Sequence, residues 1–252
     1  MAEAYVNSTI HGGVEIIEFY HPQSNSLPSH ILDQIANAIE AAGTNDDVRC
    51  VLLKSGGDRA FCAGASFDEL VAIDNDEKGL DFFTGFAKVI NAVRLCPKFV
   101  IGRVQGKAVG GGVGVASAVD YCFATKHAAI KLSELAIGIG PFVVGPAVER
   151  KMGKSAFTEL AIDASEWRSA EWAFDRGLYN SVSDTAEAMD ESINAFLTRV
   201  EKYSPDAMKE LKKVFWEGTE NWGNMLVERA KISGRLVLSD FTKNAINSFK
   251  TK

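Results

Sequence analysis

The sequence predicts an α/β fold in which buried, mostly parallel strands alternate with helices. Two short apolar runs, VRCVLLKS (residues 48–55) and FVIGRV (99–104), have the length and composition of strands that are covered on both faces. A segment with helical spacing of apolar residues precedes each run. This alternation is typical of a layered α/β protein. A chain of 252 residues can form such a core without disulfide or metal staples.

The elements of the first hundred residues follow in order. β-rich runs at 5–10 and 14–19 are separated by His11, Gly12 and Gly13, which predicts an opening hairpin. One helix is expected after Ser29 and another before Cys96. Each has apolar residues on one face: Ile31, Leu32, Ile35 and Ile39 in the first, and Phe82, Phe86, Val89 and Val93 in the second.

The end of the chain has a different pattern. Ser204 and Pro205 form a helix start signal, and the residues that follow are predicted to be all helical. We therefore expect a core over residues 1–199 and a helical region over 200–252. Apolar residues in this region exceed what short helices usually hide alone, which favours an oligomer: Phe215, Trp216, Trp222, Met225, Leu226 and Leu236.

Charge and composition disfavour several classes of function. The net charge of −6 has the wrong sign for a protein that binds phosphate backbones, so we expect no nucleic-acid partner. The densest basic stretch, KELKK (209–213), contains Glu210 and is interpreted as a solvated helix face. No apolar run is long enough to span a bilayer, and the start lacks signal-peptide features, so we expect a cytoplasmic protein without a membrane partner.

No metal site is predicted. The four cysteines, Cys50, Cys62, Cys96 and Cys122, are widely spaced and lie mostly in apolar stretches, which indicates buried free thiols. The four histidines show no ligand spacing.

Two glycine-rich turns, AFCAGASFDEL (60–70) and VQGKAVGGGVGVASAVD (104–120), carry the chemical signal. Each follows a predicted strand and leaves backbone amides where a ligand can approach them. Two such amides converging on a carbonyl oxygen would form an oxyanion hole. Each turn alone is equally consistent with tight turns and close packing. The spacing does not fit a dinucleotide fingerprint, a P-loop or a nucleophile elbow.

AFCAGAS, PKFVIGRVQGKAVGGG, Asp120, KLSELAIGIGP and RSAEWAFDRGL, in this order, resemble the crotonase, or enoyl-CoA hydratase/isomerase, superfamily. The resemblance runs from about residue 14 to residue 184. It implies a spiral of ββα units with a helical C-terminal region, a homotrimer or dimer of trimers, and an acyl-CoA thioester substrate. No separate cofactor is implied, because coenzyme A is part of the substrate.

The resemblance also implies site residues. The oxyanion amides would be those of Ala65 and Gly111, and Glu134 matches the second of the two carboxylates of the family's hydratases. The first carboxylate position is occupied by Gly114. The residues implied in substrate binding are Ala63, Gly64, Gly110, Ser133 and Phe142. Phe142 stands where a dehalogenase relative has a nucleophilic aspartate, which excludes covalent catalysis of that kind.

Three functions stay open. One carboxylate suffices to move a proton between two carbons, which favours an enoyl-CoA double-bond isomerase. A likeness to the bacterial methylglutaconyl-CoA hydratase branch, in GGGVGV, LSELAIGI and PFVVGP, favours a hydratase, and this is the leading prediction. A non-catalytic relative that binds acyl-CoA or RNA is the third alternative. Asp120 is expected to be structural, and Asp68 or Glu69 are candidates to replace the missing acid.

Overall fold

The computed structural model describes residues 3–250, with side chains to residue 248. The strands are β1 (Tyr5–His11), β2 (Val14–Tyr20), β3 (Cys50–Ser55), β4 (Phe99–Val104), β5 (Ala108–Val109), β6 (Tyr121–Thr125), β7 (Ile130–Lys131) and β8 (Ser181–Ser183). The helices are α1 (Ser29–Thr44), α2 (Phe67–Val71), α3 (Asp76–Leu95), α4 (Gly111–Ala118), α5 (Gly145–Ile162), α6 (Ala170–Asp175), α7 (Ala186–Val200), α8 (Pro205–Phe215), α9 (Trp222–Val237) and α10 (Asp240–Lys250).

Six of the strands form one sheet in the order β1-β2-β3-β4-β6-β8. β1 and β2 are an antiparallel hairpin, and every other pair in this sheet is parallel. The predicted hairpin, the two apolar strands and the parallel pairing are confirmed. Gly12 and Gly13 both have positive φ at the hairpin turn, a conformation that glycine adopts without steric cost.

The chain repeats a strand, a second short strand and a helix. This order is clearest in β4-β5-α4 and in β6-β7-α5. β5 pairs with β7 in a small second sheet, and Cys62 adds a parallel bridge to Ala108. The predicted spiral of ββα units is therefore confirmed. Its consequence is that each turn following a strand of the large sheet is carried to the same side of the molecule.

The main core lies between the large sheet and helices α1 and α3. The apolar faces predicted for these helices are buried, including Ile35 and Ile39 in α1 and Phe86 and Val89 in α3. A second cluster packs α7 against the opposite face of the sheet and includes Leu52 and Ile101 of the strands with Met189 and Ile193 of the helix. Helices therefore cover both faces of the sheet, as its continuous apolar strands require.

The C-terminal helices pack against the same core. Helices α3 and α9 approach so closely that a Cβ atom added at Gly79 would lie 2.8 Å from Gly234 Cα. Trp216, Trp222 and Leu226 are buried within the chain, so our prediction that they offer a surface to other subunits is wrong. Phe215 is 44% exposed. The division at residues 199 and 200 stays a prediction.

Lys212 corrects a second prediction. The KELKK stretch is not a wholly solvated face, because the Lys212 ammonium is buried in an ion pair with Asp120. Asp120 also accepts hydrogen bonds from the Val100 amide and from Trp216 Nε1. The expected structural role of Asp120 is confirmed, and it consists of joining β4 to α8.

Further features concern membranes, thiols and metals. In the described part of the chain, no helix is both long and apolar enough to cross a bilayer. All four cysteines are buried and free, as predicted. Within residues 3–250, no group of three or more His, Cys, Asp or Glu residues could hold a metal ion.

Candidate active site

A cavity of about 580 Å³ opens beside the ends of β5 and β7. It is lined by all eight site residues that the sequence predicts: Ala63, Gly64, Ala65, Gly110, Gly111, Ser133, Glu134 and Phe142. These residues are spread over 80 positions of the sequence, from 63 to 142. The repeated ββα path brings them together, because each lies in a turn that follows a strand.

The first glycine-rich turn presents the Ala65 amide to the cavity. Gly64 has a φ of 93°, and its carbonyl accepts a hydrogen bond from Leu27. Leu27 in turn accepts a hydrogen bond from the Ser66 amide, which fixes the backbone on both sides of Ala65. Among the described residues, the Ala65 amide has no hydrogen-bond acceptor. An amide that faces the cavity without an acceptor is a group that a ligand oxygen can satisfy.

The second turn presents the Gly111 amide at the start of α4. Gly110 has a φ of 52°, and its own amide donates to the Lys131 carbonyl. As the first residue of the helix, Gly111 has no intrahelical acceptor, and within residues 3–250 it has no other acceptor either. A Cβ atom at Gly111 would lie 2.2 Å from the Phe86 ring, so only glycine fits against this ring.

Glu134 brings one carboxyl group to this cavity. It lies after β7, immediately before a short 3-10 turn (Leu135–Ile137). The residue as a whole is half-buried, but its Oε2 atom is enclosed and has no hydrogen-bond partner in the described structure. A Cβ atom added at Gly110 would lie 3.0 Å from Glu134 Oε1, so the carboxyl group adjoins the second turn. Burial raises the pKa of Glu134 to about 7.

Packing excludes a second carboxylate at Gly114. A Cβ atom there would lie 2.5 Å from Val144 Cγ1, far inside van der Waals contact. Val144 belongs to the PFVVGP segment and is itself buried. Asp68 and Glu69, the candidates to replace the missing acid, do not line the cavity. Asp68 accepts a hydrogen bond from the Gln23 side chain, and Glu69 accepts hydrogen bonds from Ser29 at the start of α1. Among the described residues, Glu134 is the only carboxylic acid lining the cavity.

The remaining walls of the cavity are largely apolar and aromatic. The sequence interpretation expected Leu132, Leu135, Ile137, Ile139 and Phe142 around Glu134. Ile137, Ile139 and Phe142 line the cavity, whereas Leu132 packs in the core and Leu135 is 49% exposed. Helix α3 adds Phe82, Phe83 and Phe86.

Comparison with known proteins identifies the family of this chain. The family model for enoyl-CoA hydratase/isomerase matches residues 9–250. The chain belongs to the enoyl-CoA hydratase/isomerase family. It is 27% identical to a probable enoyl-CoA hydratase of Bacillus subtilis, over 95% of this chain and 93% of that protein. It is 30% identical to the mitochondrial methylglutaconyl-CoA hydratase of Homo sapiens, over 56% of this chain and 41% of that protein.

The fold agrees with this membership. The crystal structure of an enoyl-CoA hydratase from Bacillus halodurans superimposes with a TM-score of 0.89. The match covers 97% of this chain and 99% of that chain, at 19% sequence identity. At this identity the superposition supports the crotonase fold, and the chemistry has to be argued from the residues of the cavity.

Sequence reasoning did not bring together three residues beside the cavity, which we call the rim cluster: Lys107, Lys131 and Trp167. The ammonium groups of both lysines lie 4.7 Å from the centroid of the Trp167 ring. Lys131 and Trp167 line the cavity, and Trp167 is 39% exposed. A tryptophan in the otherwise polar segment ASEWRS was the available sequence signal, but only the fold brings it to the two lysines.

Three serines that the sequence left open are now distinguished. Ser66 caps α2 by accepting from the Glu69 amide, and Ser117 donates to the Val113 carbonyl inside α4. Both satisfy backbone groups, as small hydroxyls near helix ends commonly do. Ser133 lines the cavity beside Glu134.

Proposed function

We propose that this family member binds an acyl-CoA thioester and stabilises its enolate, with Glu134 transferring the proton. The observation that carries the proposal is the meeting, in one cavity, of two amides without acceptors and one enclosed carboxyl oxygen without a partner. The thioester oxygen satisfies the amides of Ala65 and Gly111. Fixed dipoles aimed at an oxygen that gains negative charge stabilise the transition state more than the bound substrate.

The other predicted residues are proposed to bind the substrate. The backbone of Ala63 and Gly64 is proposed to contact the adenine side of coenzyme A. Gly110 is proposed to contact the substrate, and Phe142 the acyl group. Ser133 is next to Glu134 in sequence and is proposed to orient a water molecule. Coenzyme A belongs to the substrate, and the proposal requires no other cofactor.

Our leading proposal for the reaction is hydration of an enoyl-CoA. Ionised Glu134 accepts a proton from water while the water oxygen bonds to C3 of the substrate. The electron pair of the C2–C3 double bond moves to the thioester, whose oxygen becomes the enolate oxygen at Ala65 and Gly111. The protonated Glu134 then returns its proton to C2, which restores the carboxylate. One carboxyl group can therefore serve both steps.

The alternative is isomerisation of a 3-enoyl-CoA to a 2-enoyl-CoA. The observation that favours it is the exclusion of a second carboxylate at Gly114. Glu134 would remove a proton from C2 and return it to C4, and the double bond would move into conjugation with the thioester. This reaction has no water to position, so a single acid–base group is enough.

The experiment compares the wild type with Glu134→Gln on 3-methylglutaconyl-CoA, crotonyl-CoA and a 3-enoyl-CoA. Absorbance of the conjugated thioester reports the reaction, and mass spectrometry identifies the product. Hydration predicts loss of absorbance, a gain of one water and abolition by the substitution. A gain of absorbance from the 3-enoyl-CoA at constant mass, without hydration, would instead establish the isomerase.

No reaction with any of the three thioesters would favour another acyl-CoA reaction or a non-catalytic relative. RNA binding would then be tested as a function of salt, because contacts with phosphates are strongly salt-dependent. The net charge of −6 argues against RNA, and cytoplasmic location and the absence of a membrane partner stay predictions from the sequence.

The acyl group and the assembly are finer parts of the proposal. The 3-methylglutaconyl group is our named candidate, supported by the pattern of the glycine turn and by the human relative. We further propose a homotrimer or dimer of trimers. Light scattering checks this, and a monomer would contradict it.

A further inference from the structure

The rim cluster holds two positive charges that the chain leaves without a partner. Within residues 3–250, neither Lys107 nor Lys131 forms an ion pair or a side-chain hydrogen bond. Lys54, Lys78, Lys88, Lys126, Lys213 and Lys231 form ion pairs, whereas Lys154, Lys202 and Lys209 are exposed and form none with the described residues; Lys131 differs from these in lining the cavity. Two ammonium groups at one indole repel each other, and an anion bound beside either of them would reduce that repulsion.

The backbone gives this cluster a defined geometry. Lys107 immediately precedes β5 and Lys131 ends β7, and these two strands are paired in parallel. Trp167 is fixed through its neighbour Arg168, whose amide and carbonyl both form 2.9 Å hydrogen bonds with Ile130. All three residues are thus attached to the small sheet.

The acidic residues in and beside the loop between α5 and α6 (163–169), which we call the Trp167 loop, do not neutralise the two lysines. Asp163 and Glu159 both pair with Arg168, which fixes the loop. Glu166 is exposed and makes no ion pair among the described residues. The positive charge of Lys131, which lines the cavity, is therefore available to a ligand there.

The position of Lys131 distinguishes between two anions that a thioester substrate can carry. Lys131 is three residues before Glu134, so their Cα atoms are at most roughly 11 Å apart. The phosphates of coenzyme A are separated from the thioester by the whole pantetheine arm, more than a dozen bonds. The far carboxylate of a short dicarboxylic acyl group is only a few bonds from the reacting carbons. A carboxylate this close to the reacting carbons is therefore a better match than the distant phosphates for a lysine three residues from Glu134.

We infer that the rim cluster binds a carboxylate at the far end of the acyl group, so that the preferred substrates are CoA monothioesters of short dicarboxylic acids. This inference rests on the proposed function, because it takes the reacting carbons to lie at Glu134. Lys131 and Lys107 supply the charge, and the Trp167 ring holds both ammonium groups in position. They also offset the repulsion between that carboxylate and ionised Glu134.

The test measures binding of glutaryl-CoA and pentanoyl-CoA by calorimetry. These saturated thioesters have the same chain length, differ in the terminal carboxylate and cannot be hydrated. We expect the wild type to bind glutaryl-CoA about tenfold more tightly than pentanoyl-CoA, as one charge-assisted contact supplies. In Lys131→Gln the preference should be lost, whereas the exposed control Lys209→Gln should keep it.

The two sources of negative charge give different results. If the cluster binds phosphates of coenzyme A, Lys131→Gln lowers the affinity for both CoA thioesters equally. The affinity for glutaryl-pantetheine, which lacks these phosphates of the nucleotide, is then unchanged. Under our inference, Lys131→Gln also lowers the affinity for glutaryl-pantetheine. An equal loss of affinity for glutaryl-CoA and pentanoyl-CoA in Lys131→Gln would overturn the inference. So would a wild type that binds the two thioesters equally well.

Binding and turnover can fail separately. If the enzyme binds glutaryl-CoA with the expected preference but converts no enoyl thioester, the proposed reaction fails and the subsite stands. Trp167→Leu provides a second variant that keeps both lysines. It should reduce the preference for glutaryl-CoA, and an unchanged preference would contradict the role of the ring.

Discussion

Gly114 shows how packing against one residue limits the chemistry of the whole site. Its missing side chain leaves space that Val144 fills completely, so the cavity has a single carboxylic acid among its described lining residues. Both proton transfers of the proposed hydration therefore pass through Glu134. An enzyme of this family with one carboxyl group needs a group that gains and loses a proton readily near neutral pH.

The packing at Gly114 predicts different effects of two glycine-to-alanine substitutions in helices. Gly114→Ala should lower the free energy of unfolding by roughly 1–3 kcal/mol, because its Cβ overlaps Val144. Gly223→Ala is the matched control in α9, where nothing lies within 4 Å of the added atom. It should raise stability by up to about 1 kcal/mol through helix propensity. Urea denaturation measures both, and equal effects would contradict the packing argument.

The buried Glu134 carboxyl predicts the pH dependence of activity. Burial disfavours the carboxylate and raises its pKa from 4.5 to about 7. Since the ionised form accepts the first proton, kcat/KM should increase with pH and level off above pH about 7. A profile on a substrate without other ionising groups near neutrality, such as crotonyl-CoA, measures this. An inflection near the ordinary glutamate value would show that the carboxyl group is solvated during the reaction.

At the scale of elements, the ends of strands and the starts of helices form the site. Gly111 can offer its amide because α4 begins there, and Glu134 is held where β7 gives way to a short turn. The small sheet of β5 and β7 supports both the second glycine turn and the rim cluster. A change in the pairing of these two short strands would therefore move several groups of the site together.

The ion pair between Lys212 and Asp120 joins α8 to the central sheet, and this predicts the stability of two lysine variants. Lys212→Met should lower the free energy of unfolding by roughly 3 kcal/mol, because it leaves a buried carboxylate without its main partner. Lys209→Met on the exposed face of the same helix should change it by less than about 0.5 kcal/mol. Chemical denaturation provides the measurement. Equal small effects would mean that the pair is not needed to hold α8.

At the scale of the whole molecule, local patterns predicted most of the fold. The spacing of apolar residues identified the buried faces of α1 and α3, and the run FVIGRV coincides with β4. The predicted helix start at Pro205 is also observed. These features depend on neighbours within a few positions, so their signal is present in any short window of sequence.

Features that depend on distant residues were not predictable in the same way. Lys212 meets Asp120 across 92 positions, and a basic stretch on a helix gives no sign of such burial. The rim cluster needs β5, β7 and the Trp167 loop to meet. The eight cavity residues were predicted because family resemblance already encodes such meetings, whereas the Val144 side chain that excludes a carboxylate at Gly114 became visible only in the structure.

The central claim is that Glu134 transfers a proton at the carbon next to the thioester while two backbone amides stabilise the enolate. Exchange of the C2 hydrogens of butyryl-CoA in D₂O, followed by NMR, tests it without presuming hydration or isomerisation. We predict exchange by the wild type and a loss of at least roughly a hundredfold in Glu134→Gln, with binding of butyryl-CoA retained. Exchange at the wild-type rate in Glu134→Gln, or none in the wild type despite binding, would contradict the account.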